Sequence, residues 1–139
     1  MSDKVFVDTN ILIYAFDSQA GRKHAIAKEV LKGLWEQQSG VLSMQVLQEF
    51  YVNVTRKIAT PLSTELARRI VTLYSEWCVA TGPSEITKAF QIEDRHQVSF
   101  WDALLLAAAY KAGAVCVLTE DLNHGQLIDR MRIENPFHV

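Results

Sequence analysis

The sequence predicts an α/β domain: a central parallel sheet of about five short strands with helices on both faces, three layers in all. Four observations predict it. Short runs of β-branched residues alternate with longer segments whose apolar residues recur at helical spacing, the pattern of βαβ units. No period of about 20 to 50 residues repeats and no low-complexity tract appears. Six glycines and three prolines leave no linker to divide 139 residues, so a single domain over 1–139 is expected. Finally, the stretch 99–110 is apolar on nearly all sides, as a helix buried between layers requires.

The first run, Lys4-Val5-Phe6-Val7, reads as a strand. Asp8-Thr9-Asn10 follows it, three residue types that cap helices, and Ile11-Leu12-Ile13-Tyr14-Ala15-Phe16 then forms a short helix. Ala27, Val30, Leu31 and Leu34 fall at i, i+3, i+4 and i+7, giving a helix over about 21–37, and Gly40-Val41-Leu42-Ser43 is a brief buried strand. Ser43 is placed to cap the third helix, where Leu47, Phe50, Val54 and Ile58 make an apolar stripe. Gln45, Glu49, Asn53 and Arg56 share its polar face.

Thr60-Pro61-Leu62-Ser63 is a stop and restart signal before a fourth helix marked by Leu66, Ile70, Leu73 and Tyr74. That helix is expected to lead into a short strand, Trp77-Cys78-Val79, and Gly82-Pro83-Ser84 starts a fifth helix. Glu93-Asp94-Arg95 reads as a solvated face closing it. The sixth helix begins at Ser99 and ends at Gly113, and 115–118 is a strand followed by Thr119-Glu120-Asp121. Arg132-Ile133-Glu134, just before Pro136, is expected as a last strand at an edge.

An apolar fraction of 49% with 22% charged residues belongs to a globular protein long enough to bury a core without disulfides. No apolar stretch approaches the ~20 residues of a membrane span, and Met1-Ser2-Asp3-Lys4 lacks a signal-peptide core, so a cytoplasmic protein with no membrane association is expected. Cys78 and Cys116 each lie in an apolar run and read as buried thiols. A formal net charge of −2 argues against a protein that coats nucleic acid, which needs many Lys and Arg contacts. It leaves a nuclease open, because acids gathered around metal ions reverse the charge of a site.

In open parallel sheets ligands bind outside the carboxyl ends of the strands. That is where Asp8 stands after the first strand, and Glu120-Asp121 after the strand 115–118. Glu49, about two turns into the third helix, and Asp102, in the first turn of the sixth, can face the same edge. Carboxylates brought within ~5 Å of one another repel by several kcal/mol at an effective dielectric near ~20, and a hard cation relieves this. Mg²⁺ takes oxygen ligands, commonly one or two carboxylates plus substrate phosphate, and phosphodiester hydrolysis is the chemistry that follows.

With these segments in view, the chain resembles the PIN-domain nucleases, and especially the VapC-like toxin ribonucleases of type II toxin-antitoxin pairs. The matching segments are 5–12 (Val5-Phe6-Val7-Asp8-Thr9-Asn10-Ile11-Leu12), 43–50 around Glu49, Ser99-Phe100-Trp101-Asp102-Ala103-Leu104, and Leu118-Thr119-Glu120-Asp121-Leu122. The resemblance implies a metal-dependent endoribonuclease using Mg²⁺ or Mn²⁺. It assigns Asp8, Glu49, Asp102 and Asp121 to the family's acidic metal-binding, catalytic positions, with Thr9, Asn10 and Thr119 as supporting polar groups. It also implies an RNA substrate, a homodimer, and a small antitoxin protein whose tail covers the acidic pocket. The apolar run 11–16 is the expected dimer contact, being more apolar than one buried face requires.

Each residue also has a plainer reading. Asp8 suffices as a helix cap, Asp102 fits the fourth position of a capping box opened by Ser99, and Glu49 alone would be a solvated helix residue. Glu120 is the substitute for Asp121 if the loop turns differently, and His124, three positions after Asp121, is an auxiliary expected near the RNA. The four histidines show no zinc-type spacing. A receiver-like phosphorelay domain needs an Asp where Ala80-Thr81-Gly82-Pro83 stands, and a haloacid-dehalogenase-type phosphatase needs one where Asn10 stands. A non-catalytic PIN-fold nucleic-acid-binding or scaffold module would normally lack one or more of the acids. A housekeeping RNA-processing nuclease would differ from a toxin in having no antitoxin.

Overall fold

Phe6 and Val7 are consecutive residues of strand β1 (Lys4–Val7), so their side chains leave opposite faces of the sheet, and both are fully buried. The sheet is therefore covered on both sides, and Val117 and Leu118 of β3 (Ala114–Leu118) repeat the pattern. The computed structural model describes residues 3–138; Met1, Ser2 and Val139, within the domain expected over 1–139, lie outside the described residues. Among those described are five strands and six α-helices.

β1 lies between β2 (Gly40–Val41) and β3, parallel to both, and β5 (Met131–Glu134) is parallel to β3. β4 (Leu127–Ile128) pairs antiparallel with β5, completing the order β2-β1-β3-β5-β4. Val7 stands opposite Leu118, and the Asp8 N–H donates to the Leu118 carbonyl at 3.0 Å. That register brings Asp8 and Thr119 out of the sheet side by side.

The helices start where their caps are. Helix α1 (Thr9–Phe16) is capped by Asp8, and α3 (Met44–Arg56) by Ser43. Ser63 caps α4 (Thr64–Tyr74), and Ser99 caps α6 (Phe100–Lys111). Helix α2 (Arg22–Gln37) fills the second expected helical segment. Pro83, whose missing N–H costs nothing in a first turn, opens α5 (Pro83–His96). Ala103 and residues 105–109 of α6 are buried, as an all-round apolar helix must be. None of the described helices is long and apolar enough to cross a membrane.

Two sequence expectations fail. Trp77-Cys78-Val79 is not a strand: Ser75–Trp77 is a 3₁₀ turn, and Cys78 makes one isolated parallel bridge to Leu42. The cause is Trp77, whose indole packs with Trp35 and Tyr74 at centroid distances of 4.7 and 4.9 Å. A Cβ on Gly40 would come within 2.6 Å of that ring, so the chain turns tightly to seat the indole against the bare glycine. The second failure is the last strand. β5 sits inside the sheet, and β4 takes the edge through a two-residue turn, Asp129-Arg130, whose φ angles are 45° and 71°. Positive φ at both central residues is what a type I′ hairpin needs, ordinarily met by Asn-Gly or Asp-Gly.

The apolar run in α1 is largely accounted for within the protomer. Ile11, Leu12 and Ala15 are buried, and Ile13, Tyr14 and Phe16 pack half-buried against the core, which removes the reason for expecting a dimer contact there. Both cysteines are free; burial pushes the Cys116 thiol up to about 12 and raises that of Cys78.

Candidate active site

Thr119, fully buried at the end of β3, ties the site together. Its hydroxyl donates to Asp8 Oδ2 at 2.7 Å and accepts the Asp121 N–H at 3.1 Å. Asp8 Oδ1 accepts the Thr9 N–H at 2.6 Å, so the cap reading of Asp8 holds alongside whatever else it does. Asn10 Nδ2 donates to Asp121 Oδ2 at 3.0 Å, linking the first turn of α1 to the loop after β3.

Glu49 reaches the same place from α3. Its Oε2 accepts from Thr9 Oγ1 at 3.2 Å and its Oε1 from Gln45 Nε2 at 3.0 Å, while Asn53 donates to its backbone carbonyl. Asp102 arrives from the first turn of α6, where the Ser99 hydroxyl accepts its N–H at 3.1 Å. Among the described residues the Asp102 carboxylate accepts no hydrogen bond from the Ser99 N–H, so only half of the expected capping box forms. Asp8, Glu49, Asp102 and Asp121 all line one cleft of about 290 Å³, with Thr9, Asn10 and Gln45 between them.

Burial raises the Asp8 carboxyl to about 6, against the pull of its bonds from Thr119 and Thr9; the charges of Asp121 and Asp102 push the same way as burial. Asp121 is raised too, by burial first, with Asp102, Glu120 and Glu49 adding to it and the Asn10 hydrogen bond opposing. The cleft thus holds more negative charge than it neutralises.

Among the described residues no three His, Cys, Asp or Glu side chains converge on one ion-sized point. The donor set nonetheless fits a hard cation. It is made of oxygens, and Asn10 Oδ1 is buried with no hydrogen-bond partner. A hard ion needs only one or two carboxylates when water and phosphate complete its shell.

Glu120 lies elsewhere. It accepts from the Tyr14 hydroxyl and from Lys23 Nζ at 2.8 Å, and it does not line the cleft. His124 also stands off: its ring stacks on His138 at 4.1 Å, and its Nδ1 accepts the Asn135 N–H. Gln45 and Asn53 were visible in the sequence as Glu49's face of the helix. Trp101, Ile13 and Leu105 also line the cleft and carried no sequence signal as site residues.

The family model for the PIN domain matches residues 5–128. No curated relative matches the sequence. Among solved structures, a toxin-antitoxin complex from Klebsiella pneumoniae superposes with a TM-score of 0.69 at 18% identity, covering 98% of this chain and 100% of that one. VapC20 of Mycobacterium tuberculosis, a toxin that cleaves the sarcin-ricin loop, gives 0.59 at 21% identity over 82% and 87% of the two chains. VapBC2 from Rickettsia felis, bound to a DNA fragment from its promoter, gives 0.64 at 15% identity over 94% and 97%. At these identities the likeness is one of fold.

Proposed function

The chain belongs to the PIN-domain family, and from that premise we propose that, as one domain over 1–139, it is a metal-dependent endoribonuclease and the toxin of a toxin-antitoxin pair. The observation that carries the reading is that Asp8, Glu49, Asp102 and Asp121 come from four separate places in the chain to line one cleft. These four are the residues to hold Mg²⁺ or Mn²⁺. Bound there, the ion would supply Lewis acidity, lowering the pKa of water and offsetting charge on the reacting oxygens of the phosphodiester.

The chain's own groups do the positioning. Thr119 fixes Asp8 Oδ2 and the Asp121 backbone together, Asn10 holds Asp121 Oδ2, and Thr9 with Gln45 holds both oxygens of Glu49. Asp8, raised to about 6 by burial, keeps a proton on its carboxyl in part of the population near neutral pH, and positive charge in the cleft would favour its ionised form. In the hydrolysis the water oxygen joins phosphorus, the ester P–O bond breaks, and the proton passes to the departing oxygen.

The antitoxin is supported by two of the structural relatives, which are described as a toxin-antitoxin complex and as VapBC2. Its tail would cover the acidic cleft, and the state proposed for the toxin is a cytoplasmic homodimer. The test is cleavage of total cellular RNA by the purified protein with Mg²⁺ or Mn²⁺, beside EDTA and beside Asp102→Asn. Discrete products that need the ion and vanish in the variant are expected. The same products from both proteins would sink the nuclease reading.

A further inference from the structure

The three tryptophans are used in different ways. Trp35 and Trp77 pack in the aromatic cluster with Tyr74, whereas Trp101 leaves 65% of its surface in water. A single exposed apolar residue is ordinary. What separates Trp101 is its place: it lines the same cleft as the four acids, one residue before Asp102. Phe100 stands edge-on to it at 5.4 Å, and Phe90, 51% exposed, lies 5.9 Å beyond Phe100, so an aromatic row leads from the cleft out over α5.

The cleft consequently has two characters. One part is acid and amide; the other is apolar, made by Ile13, Leu105 and the flat indole. A nucleotide is divided the same way, into a charged phosphate and a planar base that stacks on aromatic faces. Resting on the nuclease reading above, we infer that Trp101 is the stacking platform for an unpaired nucleobase adjoining the phosphate that the acids hold. Because every base has a π face, the platform discriminates by strandedness and is tolerant of base identity. A base held in a duplex is already stacked and has no face to offer. Trp101 is thereby a substrate-binding residue that favours loops and single strands.

Tryptophan emission and oligonucleotide binding test this without any ion. The probe is a short single-stranded oligoadenylate, titrated in EDTA into the Asp8→Asn protein with and without Trp101→Ala or Trp101→Phe. The expected result is quenching that disappears with either change, and an affinity about five- to a hundredfold weaker for Trp101→Ala, with Trp101→Phe in between. With Mg²⁺ and otherwise unaltered protein, Trp101→Ala should raise KM for a looped substrate by a similar factor while kcat stays within about threefold. The side chain is largely exposed, so the fold should survive, which circular dichroism checks.

Unchanged quenching and unchanged KM in Trp101→Ala would overturn the stacking role, even with the nuclease intact. Should Trp101→Ala weaken only the antitoxin complex, the indole belongs to a protein partner and the proposal is likewise overturned. Failure of the wild-type protein to cleave any RNA would instead remove the nuclease reading, and the ion-free titration would still decide whether the indole takes a base.

Discussion

Asp8 and Asp129 are both acids that the fold largely shields from water, and their surroundings push them in opposite directions. Asp129, in the β4–β5 turn, meets Lys88 at 2.7 Å and Arg95 at 3.1 Å, with His96 Nε2 at 3.6 Å. These α5 groups, Lys88 foremost, hold its carboxyl below the usual range. Asp8 finds hydrogen bonds but, among the described residues, no cation; burial and its fellow acids raise it to about 6. The first arrangement is complete as it stands and fastens a hairpin whose backbone would otherwise prefer glycine. The second gathers like charges with no cation beside them among the described residues, the kind of imbalance that a bound cation offsets.

The widest gap between the two regions should appear in cleavage. Asp8→Asn or Asp102→Asn should lower ion-dependent RNA cleavage by more than the ~100-fold that loss of an outer-shell partner can cost, while Asp129→Asn leaves the rate per folded molecule unchanged. Equal losses would erase the distinction.

Stability against pH sharpens it next. A carboxyl raised by folding binds its proton more tightly in the native state, so its ionisation works against the fold. In EDTA the protein should therefore lose stability as pH rises from about 4 through about 6, by at most about 3 kcal/mol from Asp8. Urea titrations at several pH values should show that slope flattened in Asp8→Asn and reduced by Mg²⁺. Asp129 has the opposite sign: its contribution is present above about pH 4 and fades as pH falls below that.

Asp129→Ala should cost about 1–3 kcal/mol, because it strips a partly buried lysine of its partner and leaves Asp129's left-handed φ without a suitable residue. Thermal unfolding would register this as a drop of several degrees. The smallest effect belongs to Lys23→Ala. Lys23 is 42% exposed, so breaking its pair with Glu120 should change stability by less than about 1 kcal/mol. Mg²⁺ affinity measured by calorimetry should hardly move, since neither residue lines the cleft.

What the sequence disclosed follows the reach of each signal. Ser43, Ser63 and Ser99 each cap the helix that follows, a bond spanning three residues, and each was readable. The end of β1 at Asp8 was equally local. The β4–β5 hairpin was missed because its turn lacks glycine and relies on Lys88 and Arg95, more than thirty positions earlier. The expected strand at 77–79 failed for a similar reason, since Trp77 answers to Gly40 across the fold. The four acids could be proposed only as an ordered set; their common cleft, and the turning of Trp101 into it, depend on packing that no local pattern records.

The Thr119 hydroxyl and the Asn10 amide each join residues 111 positions apart. During synthesis, then, Asp8 is made 111 residues ahead of Thr119, the side chain that holds its Oδ2. A nascent fragment ending before Thr119 has neither the bond that orients Asp8 nor the loop that presents Asp121. The cleft is therefore completed only once β3 has paired with β1 and the loop after it has folded.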